Sequence, residues 1–289
     1  MKVLILGDVM LDVVVRPEGP VAPTSDTPSR VRLSRGGAGA NFAVALARSG
    51  HDVTYVGAVG RDLAGEMWRE ELAASGVRSL LEEVDAPTGV VVALVDDTGQ
   101  RAMYTDRGAN TRVSRDFVLS SLEGQFDHLH VSGYSVLESA TREVAVAALA
   151  RARENEMTTS ADVCSVGPLV EVSAGVFARA VKGVDYLFAN EEEACVLGGG
   201  ELDVALAVLG SLSHEGVVTR GARGAFAWCG DDTTSAASTT VTVLDTTGAG
   251  DAATGSYLGA RLAGYSMDEA LSRAMRVAAS VVASLGATR

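Results

Sequence analysis

An aspartate follows three small residues near the end of the chain, in the stretch DTTGAGD (residues 245–251), which leads into a helical pattern. Successive amides of a Thr-Gly-Ala-Gly turn at a helix start form an anion pocket, and the helix dipole strengthens it. Asp251 would lie in the first turn of this helix, where the dipole favours its ionised form. A carboxylate beside an anion pocket suits phosphoryl transfer to an alcohol, because the carboxylate accepts the hydroxyl proton while the amides stabilise the moving phosphoryl group.

Other interpretations of the same stretch compete with this one. Asp251 could be a helix N-cap and the glycines a plain turn, and this interpretation carries equal weight on local sequence alone. GAGDAA, which starts at Gly248, fits the dinucleotide pattern G-x-G-x-x-A, but it does not open a βαβ unit, and the expected acidic residue, Asp268, falls in a predicted helix. A P-loop is excluded because it needs a lysine after its glycines, and the only lysines are Lys2 and Lys182.

A second glycine-containing stretch, RGGAGAN (residues 35–41), also stands directly before a helical pattern. Gly36 and Gly37 allow a backbone to approach a ligand closely, and Asn41 offers both a donor and an acceptor for hydroxyl groups. Taken alone, this stretch is equally well interpreted as a plain turn.

Strand and helix patterns alternate along most of the chain. Strands are predicted at 3–6, 53–59, 128–133, 186–190 and 216–221. Helices are predicted at 38–49, 63–75 and 139–153, the first ending at Gly50 and the second lying between a cap at Asp62 and Gly76. This alternation is typical of a mostly parallel sheet covered by helices on both faces.

Two regions interrupt the alternation with short extended segments. Residues 11–34 contain DVVVR and RVRLS around a proline-rich turn, and residues 88–106 contain two strand patterns joined by Asp-Asp-Thr-Gly, a hairpin signal. We expect these four strands to form one small extra sheet. No linker or repeat divides the chain, so residues 1–289 are predicted to form a single domain with this appendage.

The composition narrows the class of protein and its partners. The 289 residues suit one large α/β unit, and 47% of them are hydrophobic, which is enough for a sizeable core. A formal charge of −13 without a basic cluster argues against nucleic acid or a membrane as partner. The first residues, MKVLILGD, are interpreted as a buried strand and not as a signal peptide. Three scattered cysteines, Cys164, Cys195 and Cys229, favour neither zinc nor disulfides, so a reducing cytoplasm is expected.

Four segments together resemble the ribokinase-like (PfkB) carbohydrate kinases. They are GGAGANFAVALARSG (36–50), FANEEEA (188–194), VVTRGARGAF (217–226) and DTTGAGDAATG (245–255), in the order and spacing typical of that family. The resemblance covers essentially the whole chain. It implies a three-layer α/β/α fold, a mostly parallel central sheet, and a small β-sheet lid that corresponds to the predicted appendage.

The resemblance also implies roles for residues near the phosphoryl groups. Asp251 is similar to the catalytic base, and the amides of Thr247 to Gly250, with Gly248 and Ala249 between them, to the anion hole. Asn190 and Glu193 match an N-x-x-E segment that acts on Mg²⁺ and phosphate, with the carboxylate of Glu193 reaching the metal through water. Without the resemblance, NEEEA is simply the acidic first turn of a helix.

Further roles follow for the nucleotide, the acceptor and a cation. Asp12, Gly36, Gly37 and Asn41 resemble the sugar-binding set, with Asp12 at the base of the lid. A second set, Thr219, Gly221 and Gly224, matches the segment that lines the ATP site, although it also reads as a hairpin. Asp245 resembles a ligand of a monovalent cation, so the expected cofactors are ATP and Mg²⁺, with K⁺ as an additional candidate.

Several features depart from the family pattern. Ribokinases often have lysine at the position of Ala38, so ribose is not implied as the acceptor. GDVMLD (7–12) is similar to the opening of heptose-phosphate kinases. Arg107, after the second lid region, is a candidate to meet a carboxylate or phosphate of the acceptor, the alternative being a surface acid. Relatives continue past the segment ASLGATR, so part of the nucleotide or cation site is expected beyond Arg289 or to be absent.

These inferences predict an ATP-dependent kinase that phosphorylates a hydroxyl group of a sugar or sugar-like small molecule. Two alternatives stay open: a nucleoside or sugar phosphate as the acceptor, or a non-catalytic sugar-binding protein on the same scaffold. Exposed lid edges favour a homodimer through the lid. His128 and His130 are too few for a zinc site and are assigned to packing.

Overall fold

Strands and helices alternate along the computed structural model, which describes residues 1–96 and 101–283. In chain order the strands are β1 (Lys2–Leu6), β2 (Met10–Pro17), β3 (Ser29–Gly36), β4 (Asp52–Val59), β5 (Arg78–Glu83), β6 (Gly89–Val95), β7 (Arg101–Asp106), β8 (His128–Val131), β9 (Thr158–Asp162), β10 (Val184–Asn190), β11 (Ser213–Thr219), β12 (Ala225–Cys229) and β13 (Asp232–Ala236). The α-helices are α1 (Ala38–Ala47), α2 (Leu63–Ala74), α3 (Arg115–Ser121), α4 (Gly133–Leu137), α5 (Arg142–Glu154), α6 (Val166–Val172), α7 (Ala174–Val181), α8 (Glu191–Gly198), α9 (Leu202–Leu212), α10 (Ala249–Leu262) and α11 (Met267–Val282). Short 3₁₀-helices lie at Gly108–Arg112 and Gly221–Arg223.

The larger sheet has nine strands in the order β13-β12-β11-β10-β9-β8-β1-β4-β5. The seven strands from β11 to β5 are all paired in parallel, and β12 and β13 add an antiparallel edge. The prediction of a mostly parallel sheet is therefore confirmed. Since parallel strands end at a common edge, residues that follow β1, β9, β10 and β11 are brought together there.

Both faces of this sheet are buried, and the first strand shows how the sequence achieves this. Val3 and Ile5 belong to one apolar cluster with residues of α1, α2, α10 and α11. Leu4 and Leu6, which point to the opposite face, belong to a second cluster with residues of α3 to α9. A continuous apolar strand of this kind is typical of a sheet sandwiched between helices. The predicted three-layer α/β/α architecture is confirmed.

A separate sheet of four strands, which we call the lid sheet, has the order β3-β2-β6-β7. It combines the two predicted extended regions, with β2 pairing antiparallel to β3 and parallel to β6. The predicted small extra sheet is therefore confirmed. Residues 97–99 of the predicted Asp-Asp-Thr-Gly turn lie outside the described residues. The lid sheet leaves four large apolar side chains more than half exposed: Val31, Leu33, Met103 and Tyr104.

The predicted start of a helix is confirmed where a capping residue marks it and is wrong where a turn precedes the helix. The Asp62 side chain accepts the Gly65 amide at 2.9 Å and starts α2 as predicted. The predicted helix 139–153 is wrong at its start, since residues 138–141 form a turn and α5 begins at Arg142. The β-branched run TTVTVL (239–244) forms no strand.

No single helix among the described residues is long and apolar enough to cross a membrane. Only α8 and α9, taken together across a bend of 76°, pass that test by length and composition.

Candidate active site

The start of α10 places an aspartate beside free backbone amides. Gly248 precedes the helix with a φ of 73°, a left-handed conformation that glycine adopts without strain. The amides of Gly248, Gly250 and Asp251 donate no hydrogen bond to any described residue, as expected for the first turn of a helix. This geometry creates an anion site at the positive end of the helix dipole.

Two of the predicted anion-hole amides already have acceptors. The Thr247 amide donates to Asp245 Oδ1 at 2.9 Å, and the Thr247 hydroxyl donates to the same oxygen at 2.7 Å. The Ala249 amide donates to the Thr246 carbonyl at 3.3 Å. The amides that have no acceptor among the described residues are therefore those of Gly248 and Gly250, together with that of Asp251, which was not among the predicted anion-hole residues. Asp245 fixes the turn that leads into α10.

The start of α1 lies against the start of α10. Asn41, in α1, donates through Nδ2 to Asp251 Oδ2 at 2.9 Å, although the two residues are 210 positions apart. Asn41 is buried, and its Oδ1 has no hydrogen-bond partner within the part of the chain that the structure describes. The amide thus orients the carboxylate of Asp251 and stabilises its charged form.

Gly36 and Gly37 let the chain pass close to Asp12 and to the backbone of Asp8 as it enters α1. A Cβ atom on Gly36 would overlap the Asp12 carboxylate, and a Cβ on Gly37 would lie 2.5 Å from the carbonyl oxygen of Asp8. Gly37 also has a φ of 104°, which side-chain-bearing residues rarely adopt. The structure therefore places Asp12 against Gly36, with Gly37 and Asn41 at the start of α1, and their role as an acceptor-binding set stays a prediction.

Three carboxylates line one cavity of about 140 Å³ next to this junction, and we call it the acidic pocket. They are Asp162 at the end of β9, Glu193 in the first turn of α8, and Asp251. Asp162 and Glu193 are buried, with 7% and 5% of their surface exposed. Like charges at such short range disfavour full ionisation of the group.

The pKa values of the three carboxyl groups reflect this crowding. Burial and the charge of Asp162 raise the pKa of Asp251 to about 8, against the opposing hydrogen bond from Asn41. Burial raises the pKa of Asp162 to about 6 and that of Glu193 to about 7, and the charge of Asp162 contributes to the shift at Glu193. The helix dipole favours the ionised form of Asp251, but burial and the neighbouring charge of Asp162 raise its pKa nonetheless.

Asn190 and Glu193 hold each other at the start of α8. The Asn190 side chain accepts the Glu193 amide at 2.8 Å, and Glu193 Oε2 accepts the Asn190 amide at 2.9 Å, which together form a capping box. Both residues also line the acidic pocket. The interpretation of NEEEA as a helix start is confirmed, and the cap also fixes the carboxylate of Glu193 at the pocket wall, while its action on Mg²⁺ and phosphate stays a prediction.

The donor set of the pocket fits a hydrated divalent cation. Among residues 1–96 and 101–283, no three His, Cys, Asp or Glu side chains stand close enough to hold a metal ion directly. Mg²⁺ usually keeps several of its waters and uses few protein ligands. The contact of Glu193 with Mg²⁺ through water stays a prediction that this buried carboxylate allows.

A larger cavity of about 340 Å³ adjoins the acidic pocket, and we call it the apolar groove. Thr219, Gly221 and Gly224 form one wall, and residues 238–241 with Met275 and Ala278 of α11 form another. Residues 219–225 are indeed a β-hairpin turn, and this turn forms the wall. Both cavities are bounded by Thr219 and Gly250, so they meet at the start of α10.

Arg107 lies at the base of the lid sheet but meets a buried acid and not a surface one. Its Nη1 donates to Asp8 Oδ2 at 3.2 Å, and its guanidinium carbon lies 3.6 Å from the centre of the Tyr134 ring. Asp8 Oδ1 accepts the Gly39 amide and the Ser132 hydroxyl, each at 3.2 Å. Arg107 therefore ties the end of the lid to the carboxyl end of β1, and about a fifth of its side chain stays exposed.

Sequence reasoning missed Asp162 and the neighbouring Cys164. Asp162 Oδ1 accepts the Gly133 amide and the thiol of Cys164, each at 2.8 Å. The available signal was an acidic residue at the end of the segment TTSAD, the position where parallel strands present functional groups. The two discounted histidines are packing residues as predicted, with His130 buried and its ring 3.7 Å from that of Phe42.

Comparison with known proteins agrees with this geometry. A family model described as pfkB family carbohydrate kinase matches residues 1–289. An ATP-dependent ribose-1-phosphate kinase from Halopiger xanaduensis is 29% identical over 285 residues, which cover 93% of this chain and 88% of that protein.

Two solved structures share the fold. A protein described as ribokinase II from E. coli, in complex with ATP and Mg²⁺, superposes with a TM-score of 0.87 at 23% identity, over 99% of this chain and 94% of that one. Adenosine kinase from Sinorhizobium meliloti gives a TM-score of 0.86 at 22% identity, over 100% of this chain and 95% of that one. At these identities the structural likeness establishes a ribokinase-like fold.

Proposed function

The chain belongs to the pfkB family of carbohydrate kinases, and on this premise we propose that it transfers the γ-phosphoryl group of ATP to a hydroxyl group of a sugar or sugar-like small molecule. One observation carries the proposal. Asp251 lies where the apolar groove, the acidic pocket and the start of α1 meet, and the amide of Asn41 holds its carboxylate. A proton acceptor beside unpaired helix-start amides is the arrangement that phosphoryl transfer to an alcohol needs.

The reaction divides its tasks between side chain and backbone. Asp251 accepts the proton of the acceptor hydroxyl as its oxygen bonds to the γ-phosphorus, and the bond from that phosphorus to the bridging oxygen of ADP breaks. The amides of Gly248, Gly250 and Asp251 stabilise the negative charge on the transferring group. Of the three residues predicted to be catalytic, Gly248 and Gly250 keep that role in this proposal. Ala249 has a structural role instead, because its amide already has an acceptor.

The apolar groove is the proposed ATP site. Its wall of Thr219, Gly221 and Gly224 faces apolar residues of α11, which suits a purine base, and the groove opens to the acidic pocket at the phosphate end. Asn190 and Glu193 would hold Mg²⁺ through its waters, and the metal supplies charge neutralisation at the phosphates when bound. Asp245 remains a candidate ligand for K⁺, and this role is separate from its contact with Thr247.

Residues 1–289 are proposed to act as one kinase domain with the lid sheet as its mobile cover. Closure of such a cover would exclude water and limit futile hydrolysis of ATP. The exposed apolar side chains of β3 and β7 support a homodimer through the lid. Three free cysteines, Cys164, Cys195 and Cys229, are compatible with the proposed cytoplasmic setting.

Arg107 favours a second candidate, an acceptor that already carries a phosphate or carboxylate. The ion pair with Asp8 fixes its guanidinium at the base of the lid, and Asp8 also accepts the amide of Gly39 in α1. The relative from Halopiger xanaduensis, whose acceptor is a sugar phosphate, supports this candidate. A nucleoside is the further alternative within the family.

Release of ADP across a panel of acceptors tests the proposal. The panel contains pentoses, hexoses, sugar acids, nucleosides and phosphorylated sugars, each with ATP and Mg²⁺. Turnover of at least one compound is the expected result. Silence across the panel, combined with tight sugar binding, would replace the kinase with a non-catalytic binding protein.

An Arg107→Gln variant assigns the acceptor class. If Arg107 meets an anionic group, KM for a phosphorylated acceptor rises about tenfold while KM for ATP stays unchanged, since one charged hydrogen bond is lost. If KM rises equally for neutral acceptors, Arg107 does not bind an anionic group of the acceptor, and its role is the ion pair with Asp8. The matched control is Arg115→Gln, because Arg115 is an exposed arginine on α3.

A further inference from the structure

A groove on the outer helical layer carries a cluster of arginines away from the acidic pocket. It lies between α1, α10 and α11 and encloses about 530 Å³. We call it the arginine groove and define it by six of its lining residues: Arg48, Ser49, Ser256, Arg273, Arg276 and Ser280. Its volume falls within the range of small-molecule sites, roughly 300–1,000 Å³.

The charge in this groove is unbalanced. Three guanidinium groups line it, and no acidic side chain among residues 1–96 and 101–283 does so. None of Arg48, Arg273 and Arg276 forms an ion pair with another described residue. This concentration of positive charge stands out in a chain with a net charge of −13.

A ring contact holds Arg273 at the groove. Arg273 stacks on Tyr265, which also lines the groove, with its guanidinium carbon 3.9 Å from the ring centre. Glu269 stands one turn before Arg273, but its carboxylate accepts the amide and hydroxyl of Ser266 in a helix cap. Arg48, Arg273 and Arg276 are all exposed, so a ligand can reach each guanidinium group.

The floor of the groove depends on a close helix contact. A Cβ atom on Gly259 of α10 would lie 2.6 Å from the Cβ of Ser49, so the absence of a side chain lets α1 and α10 approach. Gly259 lies eight residues after Asp251, about 12 Å along the helix axis. The groove is therefore separate from the acidic pocket, yet it is built on the same helices, α1 and α10.

We propose that the arginine groove binds a small, multiply charged phosphate compound. Guanidinium groups bind phosphate oxygens through paired hydrogen bonds, and serine hydroxyls add further donors. A ligand with several phosphate charges balances the three guanidinium groups together, whereas a single chloride or a neutral sugar does not. The proposal is independent of the kinase assignment.

Binding of inorganic tripolyphosphate, measured by isothermal titration calorimetry on the full chain without added metal, tests the site. The wild-type chain is expected to bind it more tightly than inorganic phosphate or sulfate. An Arg48→Gln/Arg276→Gln double variant is expected to bind at least tenfold more weakly. The matched control, Arg115→Gln/Arg179→Gln, removes two exposed arginines from α3 and α7 and should bind like the wild type.

Two further variants keep the result decisive. Ser280→Glu retains all three arginines but places a carboxylate among them, and it is expected to abolish binding without loss of thermal stability. Gly250→Asp places a carboxylate at the start of α10, where the glycine faces open space, and it should leave binding unchanged. Loss of binding in Gly250→Asp alone would move the site to the active centre and overturn the proposal. Equal weakening in both double variants, or no binding by the wild type, would also overturn it.

Discussion

Two glycine-containing helix starts meet at the candidate active site, and their glycines serve opposite purposes. At α1, Gly36 and Gly37 are glycine because neighbouring atoms leave no room for a side chain, with Asp12 and the backbone of Asp8 in the way. At α10, Gly250 has no atom within 4 Å of the position that a Cβ would occupy. The glycines of α1 are needed by the folded protein itself, whereas Gly250 keeps space open for a ligand.

The same contrast extends to the polar side chains of the two helices. Asn41 of α1 is buried and fixed by its contact with Asp251, so α1 supplies orientation. Asp251 of α10 has a raised pKa of about 8 and stands beside unpaired amides, so α10 supplies reactivity. One helix start is closely packed, whereas the other leaves room beside its first turn. Variants at the two starts should therefore separate stability from turnover.

The largest effect is expected at Asp251. Asp251→Asn preserves shape and one hydrogen-bonding oxygen but removes the proton acceptor, so kcat should fall roughly 10³-fold. The measurement is ADP release with the acceptor identified from the panel, alongside ATP affinity by calorimetry, which should change little.

Asp203→Asn is the matched control, since Asp203 is an exposed carboxylate in the first turn of α9. Its turnover should equal that of the wild type. A fully active Asp251→Asn variant would remove the proposed base and, with it, the distinction between the two helix starts.

Asn41 connects the two helix starts, and its loss should have the next largest effect. Asn41→Ala removes the 2.9 Å hydrogen bond to the Asp251 carboxylate. A hydrogen bond to a charged group contributes about 1.5–3 kcal/mol, which corresponds to a roughly 10- to 100-fold fall in kcat/KM.

A double-mutant cycle with Asp251→Asn decides whether Asn41 acts through Asp251. If it does, Asn41→Ala should cost little further activity in the Asp251→Asn background. Additive losses would instead show that Asn41 contacts the substrate independently, through the Oδ1 that lacks a partner among the described residues.

Alanine at the two kinds of glycine should give opposite results. Gly37→Ala forces a side chain into a left-handed backbone and against the Asp8 carbonyl, so the free energy of unfolding should fall by about 2 kcal/mol. Gly250→Ala meets open space in a helix, where alanine is the better residue, so that free energy should stay unchanged or rise by up to about 1 kcal/mol. Urea unfolding monitored by circular dichroism measures both.

The activity of the same variants completes the comparison. Gly250→Ala should bind ATP but have a lower kcat than the wild type. The reason is that the methyl group enters the space beside the amides proposed to bind the transferring phosphoryl group. The opposite result, with Gly250→Ala destabilised and Gly37→Ala not, would contradict this comparison. It would mean that Gly250 is needed for packing and Gly37 is not.

The fold could be predicted well from the sequence because its strands, helices and caps depend on residues that are neighbours in the chain. Alternating strand and helix patterns, buried β1, and the cap at Asp62 all depend on neighbouring residues, and each of them is found in the structure. The boundary errors arose where a turn of several residues, such as 138–141, has no strong local signal.

The site was predicted only in part, because its decisive contacts are long-range. No spacing rule joins Asn41 to Asp251 across 210 residues, and it was the family resemblance that placed both at one site. Asp162 was missed because its importance comes from the strand order β10-β9-β8, which brings it beside residues of α8 and α10. The raised pKa of Asp251 was not foreseen for the same reason, since helix position is local whereas burial and the charge of Asp162 are not.

The smallest predicted effect concerns Asp162. It tests whether the acidic pocket raises the pKa of Asp251 at the start of α10. Asp162→Asn keeps an oxygen to accept the Gly133 amide and the Cys164 thiol, but it removes a negative charge that raises the pKa of Asp251. Asp251 must be ionised to accept a proton, so kcat/KM of the free enzyme should rise with pH through about 8. Without the charge of Asp162 the ionisation of Asp251 becomes easier, so the pKa of Asp251 falls and the rise in kcat/KM should move about one pH unit lower.

A pH profile of kcat/KM measures the shift. A lower rate with an unmoved profile would make Asp162 a purely structural residue, because loss of packing changes the height of the profile and not its position.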